Sequence, residues 1–187
     1  MNKIIFHSNR MYCKKDDGTQ PESTAKSAPD WFQQADLYFK NPQTGEDYVD
    51  QSGYKHQTYK ACPAILDVLT AGYVLRTPCD LTFYEEDGRL KVKTENGYND
   101  FCDIRPAMEG FPVPAGHRAE HFHWWANWAP QLPEGYSAIY TAPLNRFDLP
   151  FTSPAGIIDN DKFSIPGLIP FFVREDFTGV IPAGTPY

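Results

Sequence analysis

Leu132-Pro133-Glu134-Gly135-Tyr136, Ala155-Gly156-Ile157-Ile158-Asp159-Asn160-Asp161 and Ile181-Pro182-Ala183-Gly184-Thr185-Pro186-Tyr187 follow one another in the last third of a 187-residue chain. Each joins a Gly or Asp turn to a short apolar run. Gly tolerates backbone angles that other residues avoid, and Asp bonds its own backbone, so both punctuate strands. The β-branched and aromatic residues between them suit a half-buried sheet. From Gly135 onward the chain therefore reads as strands: Tyr136 to Ala142, Gly156 to Ile158, Leu168 to Val173 and Phe177 to Ile181.

Working outward, the same pattern starts earlier. Tyr73 to Arg76 and Asp80 to Tyr84 read as strands. Leu90 to Thr94 alternates apolar and polar residues, and Asp87-Gly88 between the last two runs is a strong two-residue hairpin signal. Pro63 to Leu69 is the best helix: Pro63 sits where a missing N–H costs nothing, Ile65, Leu66 and Leu69 share a face, and Gly72 is placed to end it. A second helical turn opens at Ala28-Pro29-Asp30. The first 13 residues read as a strand, 14–30 as a polar loop or arm, 41–56 as turns, and 96–131 as irregular and aromatic. This predicts residues 1–60 as a strand, arm and short helix, and 61–187 as a mainly β, barrel-like domain, the whole being one globular unit.

Composition narrows the partners. Seventeen basic residues face 24 acidic ones, a net charge of -7, and no Lys/Arg run exceeds two residues (Lys14-Lys15). Binding to a phosphate backbone or an anionic membrane needs a basic surface, so neither is expected. No apolar stretch approaches the roughly 18 residues of a membrane span. The apolar core of the N-terminus, Ile4-Ile5-Phe6, is too short for a signal peptide. Four scattered cysteines without CxxC spacing read as reduced thiols. A cytoplasmic location, or a virion-associated one for a phage protein, is the expectation.

The C-terminal segments resemble the skeleton of the trimeric dUTPase family. Leu132 to Tyr136 is similar to that family's L-P-x-G-Y loop, Gly156 to Asp161 to its G-V-I-D-x-D segment, and Val180 to Pro186 to the turn after its later strand. Ala71-Gly72-Tyr73 is similar to its first A-G-Y-D-L. The resemblance implies a distorted β-barrel or β-clip with one or two short helices before it, and a homotrimer. Asp159 matches the position of the water-activating carboxylate. A serine expected after the second-motif arginine is absent, Arg146 lies late, and there is no Arg/Ser-rich phosphate clamp. A further set, Cys62-Pro63, Thr70 to Tyr73, Gly135 to Ser137, Ala142 to Asn145 and Gly156 to Asp159, resembles an uncharacterised family (a domain of unknown function) of marine phages and some bacteria. That resemblance leaves open whether Tyr187 is the natural end or a truncated reading frame.

Three groups of residues could carry chemistry. His121 and His123, spaced i, i+2, would share one face of a strand, as two imidazole ligands of one metal should. His117 or Glu120 would supply a third ligand only if the strand bends. Packing against the tryptophans is the plainer use of these histidines. Trp124, Trp125 and Trp128, with Phe122, make an aromatic patch that could stack a base or sugar, although a core or a subunit contact is the commoner use. Asn145, Arg146, Asp148, Asp159, Asn160 and Asp161, with Phe163 as an aromatic, could line a polar pocket, or serve as turn residues. Arg146 is the best anion-binding candidate because its planar fork matches phosphate and carboxylate.

Two readings follow, with a third behind them. One is a non-catalytic binding or structural protein, of phage origin in one version. Another is a hydrolase or binder of a nucleotide-like anion using Asp159 and Arg146. The last is a metal-dependent, cupin-like enzyme using His121 and His123. The sequence demands no cofactor; a divalent metal is the single candidate. The hydrolase reading requires Asp159, Arg146 and an aromatic to converge. The structural reading requires Asp159 to be consumed by backbone hydrogen bonds.

Overall fold

The computed structural model describes residues 3–11, 13, 18–95, 97–105 and 110–187. The start of the expected first strand (Met1, Asn2) and the lysine pair of the expected arm (Lys14, Lys15) lie outside the described residues. The chain divides into two units, one of Glu22–Tyr73 and one of Met1–Pro21 with Val74–Tyr187. The break thus falls elsewhere than at residue 60. The N-terminal strand belongs with the C-terminal part because β1 (Ile5–His7) pairs antiparallel with a strand near residue 130.

The smaller unit holds β2 (Glu22–Ser23), α1 (Asp30–Gln33) and α2 (Pro63–Thr70), and its last residue opens β3 (Tyr73–Val74), the strand paired with β2. The helix read from Pro63 is there, with Pro63 in its first turn and Gly72 just past its end at a φ of 81°. Between the helices, turns are held by charge. Asp47 accepts from Lys40 (2.7 Å) and Lys55 (3.0 Å). Asp50 accepts from the Ser52 side chain, the Tyr54 N–H and His56, which together hold its carboxyl far below the usual range.

The larger unit is mainly β. A four-stranded antiparallel sheet has the order β10 (Phe151–Thr152), β12 (Leu168–Arg174), β7 (His117–Trp125) and β6 (Cys102–Arg105). A three-stranded one has the order β13 (Gly179–Ile181), β4 (Leu81–Glu86) and β5 (Arg89–Thr94). Two ribbons complete it: β1 with β8 (Ala129–Gln131), and β9 (Ala138–Tyr140) with β11 (Gly156–Ile158). The strands form no closed barrel; the expected barrel is replaced by separate sheets packed through one core.

Aromatic rings make that core. Phe83 of β4 meets Phe122 of β7 edge-on at 5.2 Å, so the two larger sheets touch through their rings. Trp124 stacks on Phe171 with centroids 3.7 Å apart and planes 5° from parallel. Phe101, Phe151, Val173, Ile181 and Tyr187 close around them. Strand alternation explains the selection: Phe122 and Trp124 point inward, while His121 and His123 take the opposite face of β7. The hairpin read at Asp87-Gly88 joins β4 and β5, with positive φ at both residues (53° and 71°), as a two-residue turn with matching twist demands. The region 96–131, read as irregular, instead contains β6, β7 and β8, and β7 is the longest strand described.

All four cysteines are free thiols. Cys79 and Cys102 are buried, and burial raises both thiol pKa values, so the reactive thiolate is suppressed. A native protein treated with an aromatic disulfide reagent near pH 8 should titrate Cys13 and Cys62 alone. All four should titrate after unfolding. Rapid reaction of four thiols in the native state would contradict this packing.

Candidate functional site

The first two C-terminal motifs fold onto each other. The Leu132 N–H donates to the Asn160 carbonyl at 3.1 Å, the Gly135 N–H to Asp161 Oδ2 at 2.9 Å, and the Ser137 hydroxyl to Asp159 Oδ1 at 2.7 Å. The Asp159 carbonyl takes the N–H groups of Lys162 (3.0 Å) and Phe163 (2.9 Å), closing a turn. Asn160 is buried, and its Nδ2 donates to the Phe163 carbonyl at 2.8 Å. Asp159 is thus engaged, but through a serine hydroxyl rather than the backbone donors expected for a purely structural aspartate. Phe163 is 53% exposed. The third motif lies elsewhere, with Thr185 N–H donating to Thr77 Oγ1 and Tyr187 N–H to the Leu75 carbonyl.

Arg146 does not reach toward Asp159. Its Nε and Nη2 donate to the two oxygens of Asp148, at 2.8 and 2.7 Å, in a bidentate pair. That partner holds the Asp148 carboxyl below its usual range. Asn145 precedes it with a φ of 57°, a conformation in which Asn outlasts most other residues because its short amide bonds locally. Arg146, Asn145, Asp159, Asp161 and Phe163 are therefore divided between two sets of turn contacts, with no hydrogen bond between the sets. Sequence reasoning missed a cleft of about 390 Å³ beside the first of them, lined by Asp148, Arg174, Asp176, Phe177, Val180 and Ile181. Its ionic groups are also paired: Arg174 clasps Asp176 bidentately, as Arg146 clasps Asp148. The repeated Arg-x-Asp spacing was the available signal.

The histidines stand on the outer face of the four-stranded sheet. His121 is opposite Arg105 of β6 and Phe172 of β12, and His123 is opposite Asp103 and Pro170. His121 is 1% exposed and His123 half-buried. Burial, then the Arg105 charge, lowers the pKa of both imidazoles, so they are neutral at pH 7. Nε2 of His121 and Nδ1 of His123 are buried without a hydrogen-bond partner among the described residues. His117 is four residues from His121, roughly 13 Å along an extended strand, and its Nδ1 lies 3.0 Å from the Ala115 carbonyl. It is too distant to share a metal with His121 and His123. Among the described residues no group of three His, Cys, Asp or Glu side chains is arranged to hold a metal ion.

The tryptophans do not form one patch. Trp124 is fully buried in the core, Trp125 lies on the surface under the Arg10 guanidinium at 4.0 Å, and Trp128 Nε1 donates to Thr19. No helix among the described residues is long and apolar enough to cross a membrane. Comparison with known proteins found no matching family model, no matching curated protein and no matching solved structure.

Proposed function

We propose that this chain is a non-catalytic binding or structural protein, built on a scaffold of the dUTPase β-clip type and akin to the phage and bacterial family its motifs resemble. The observation that supports this best is where the candidate catalytic groups go. Hydrolysis at a nucleotide phosphate needs a carboxylate free to activate water and cations free to hold phosphate. Here Arg146 is closed on Asp148, and Asp159 accepts from Ser137. Both side chains are engaged within the protein, Arg146 inside its own turn and Asp159 across to the Leu132–Ser137 loop.

The homotrimer implied by the resemblance belongs to this reading. The β9–β11 ribbon favours it: Ile139 and Ile157 are register partners, and are 70% and 71% exposed. An aliphatic pair so open suits a subunit contact better than solvent. Light scattering on the eluting protein should give three times the chain mass of 21.3 kDa. A thermal-shift screen with Mg²⁺ and nucleotides, dUTP included, should show no shift that depends on Asp159. A ligand at 100-fold excess over its Kd would add about 2.7 kcal/mol of stability. A shift with Mg²⁺-dUTP that disappears in Asp159→Asn would overturn the non-catalytic reading in favour of a nucleotide hydrolase.

A further inference from the structure

Outside the turns that hold Asp159 and Arg146, one group of side chains sets two unpartnered buried imidazole nitrogens next to a cation. It lies on the outer face of the four-stranded sheet and needs the sheet register to be seen. Arg105 and Asp103 on β6 sit in rungs with His121 and His123 on β7. Arg105 makes no ion pair among the described residues, although it is half-buried and its charge is felt by both imidazoles. Two imidazole nitrogens beside it are buried and unpartnered. Leaving a buried polar atom unpaired costs about 1–3 kcal/mol, and proteins seldom do so without use.

The chemistry of this group selects the sign of its ligand. A metal ion would want a third ligand closing on the two imidazoles, and among the described residues no group of three His, Cys, Asp or Glu side chains is arranged to do so. Asp103 accepts the Ile104 N–H on its Oδ1 at 2.7 Å while its charge still reaches His123, and Arg105, the register partner of His121, acts on both imidazoles as a positive charge. From β12, the side facing the histidines offers Pro170 and Phe172, which carry no charge; Phe111 stacks on Phe172 with planes 15° apart. A fork of guanidinium donors beside imidazoles that can each present an N–H fits an oxyanion.

We infer that Arg105, His121 and His123 form a binding site for a small oxyanion, a phosphate or carboxylate group, on the outer face of the four-stranded sheet. The anion would pair with the Arg105 fork and give the unpartnered imidazole nitrogens an acceptor. This site is independent of the non-catalytic reading above, since it shares no residue with it.

The test is titration of the full chain with inorganic phosphate and, in a separate arm, with acetate, followed by calorimetry and by the ring resonances of His121 and His123. Saturable binding of at least one anion is expected, with shifts at both histidines; the tighter arm tells phosphate from carboxylate. Arg105→Gln should abolish the binding, and Arg105→Lys, which keeps the charge but loses the fork, should weaken it about tenfold. Because Arg105→Lys retains the charge, it keeps the test valid even if Arg105→Gln does not fold. Absence of saturation in both arms, or binding that survives Arg105→Gln at full strength, overturns the site. So does stoichiometric Zn²⁺ binding that is lost in His121→Ala, which would make the pair a metal site instead.

Discussion

Replacing Trp124 by Ala is expected to cost about 3–5 kcal/mol of stability, the range for deleting a buried large aromatic side chain. Trp124 has no exposed surface and touches four rings: Phe171 at 3.7 Å, Phe151 at 5.1 Å, Tyr187 at 5.3 Å and Phe101 at 5.8 Å. These rings come from β12, β10 and two loops, so none can close the hole without moving a strand. In a unit of this size the melting temperature should fall on the order of 10 °C. Trp125→Ala is the internal control. That ring is 36% exposed and lies under the Arg10 guanidinium outside the aromatic core, so its loss should cost clearly less than that of Trp124. Denaturant unfolding of both variants checks the pair. Equal losses would mean that β7 does not alternate as described. Trp124→Phe should fall between them, because it leaves a smaller cavity and also removes an Nε1 that is buried without a partner.

Tyr187→Ala should be nearly as damaging, again about 3–5 kcal/mol. The Tyr187 ring is 8% exposed and packs on Phe101 at 5.6 Å and on Trp124. Its hydroxyl accepts the buried Asn127 N–H at 3.2 Å. Tyr187→Phe separates the two contributions. It keeps the ring and removes the acceptor, for an expected loss of about 1–3 kcal/mol. Urea unfolding of the two variants should therefore give clearly different midpoints. If Tyr187→Ala unfolds at the parent midpoint, the last residues are not part of the core.

These two residues also mark what was legible in the amino acids. Local chemistry was easy to read. Asp87-Gly88 called for a hairpin, Pro63 and Gly72 bracketed a helix, and Gly156-Ile157-Ile158 formed a strand with those bounds. β7 was harder. Its inward Phe122 and Trp124 alternate with His121 and His123, but Trp125 continues the aromatic run on the wrong face and hides the period of two. Whether strands close into a barrel depends on which edges meet, and no single segment encodes that. The candidate site divides the same way. The turn roles of Asn145 and Asp161 were visible as side-chain chemistry. The pairing of Arg146 with Asp148 lay two residues away and was overlooked in favour of a distant partner. Arg105 could not be placed beside His121, because 16 residues separate them and only register across the sheet brings them together.

The register of the three-stranded sheet bears on how the chain is made. Ile181 of β13 pairs with Leu81 of β4, so one edge of β4 waits for residues 100 positions downstream. At about 5–20 residues per second, a ribosome needs roughly 5–20 s to supply them. The hairpin of β4 and β5 forms in microseconds and then spends that interval with an unpaired edge and with Leu81, Phe83 and Leu90 uncovered. The nascent chain is thus most vulnerable to misassociation in the middle of its synthesis, and that interval is when a holding chaperone would have the most to cover.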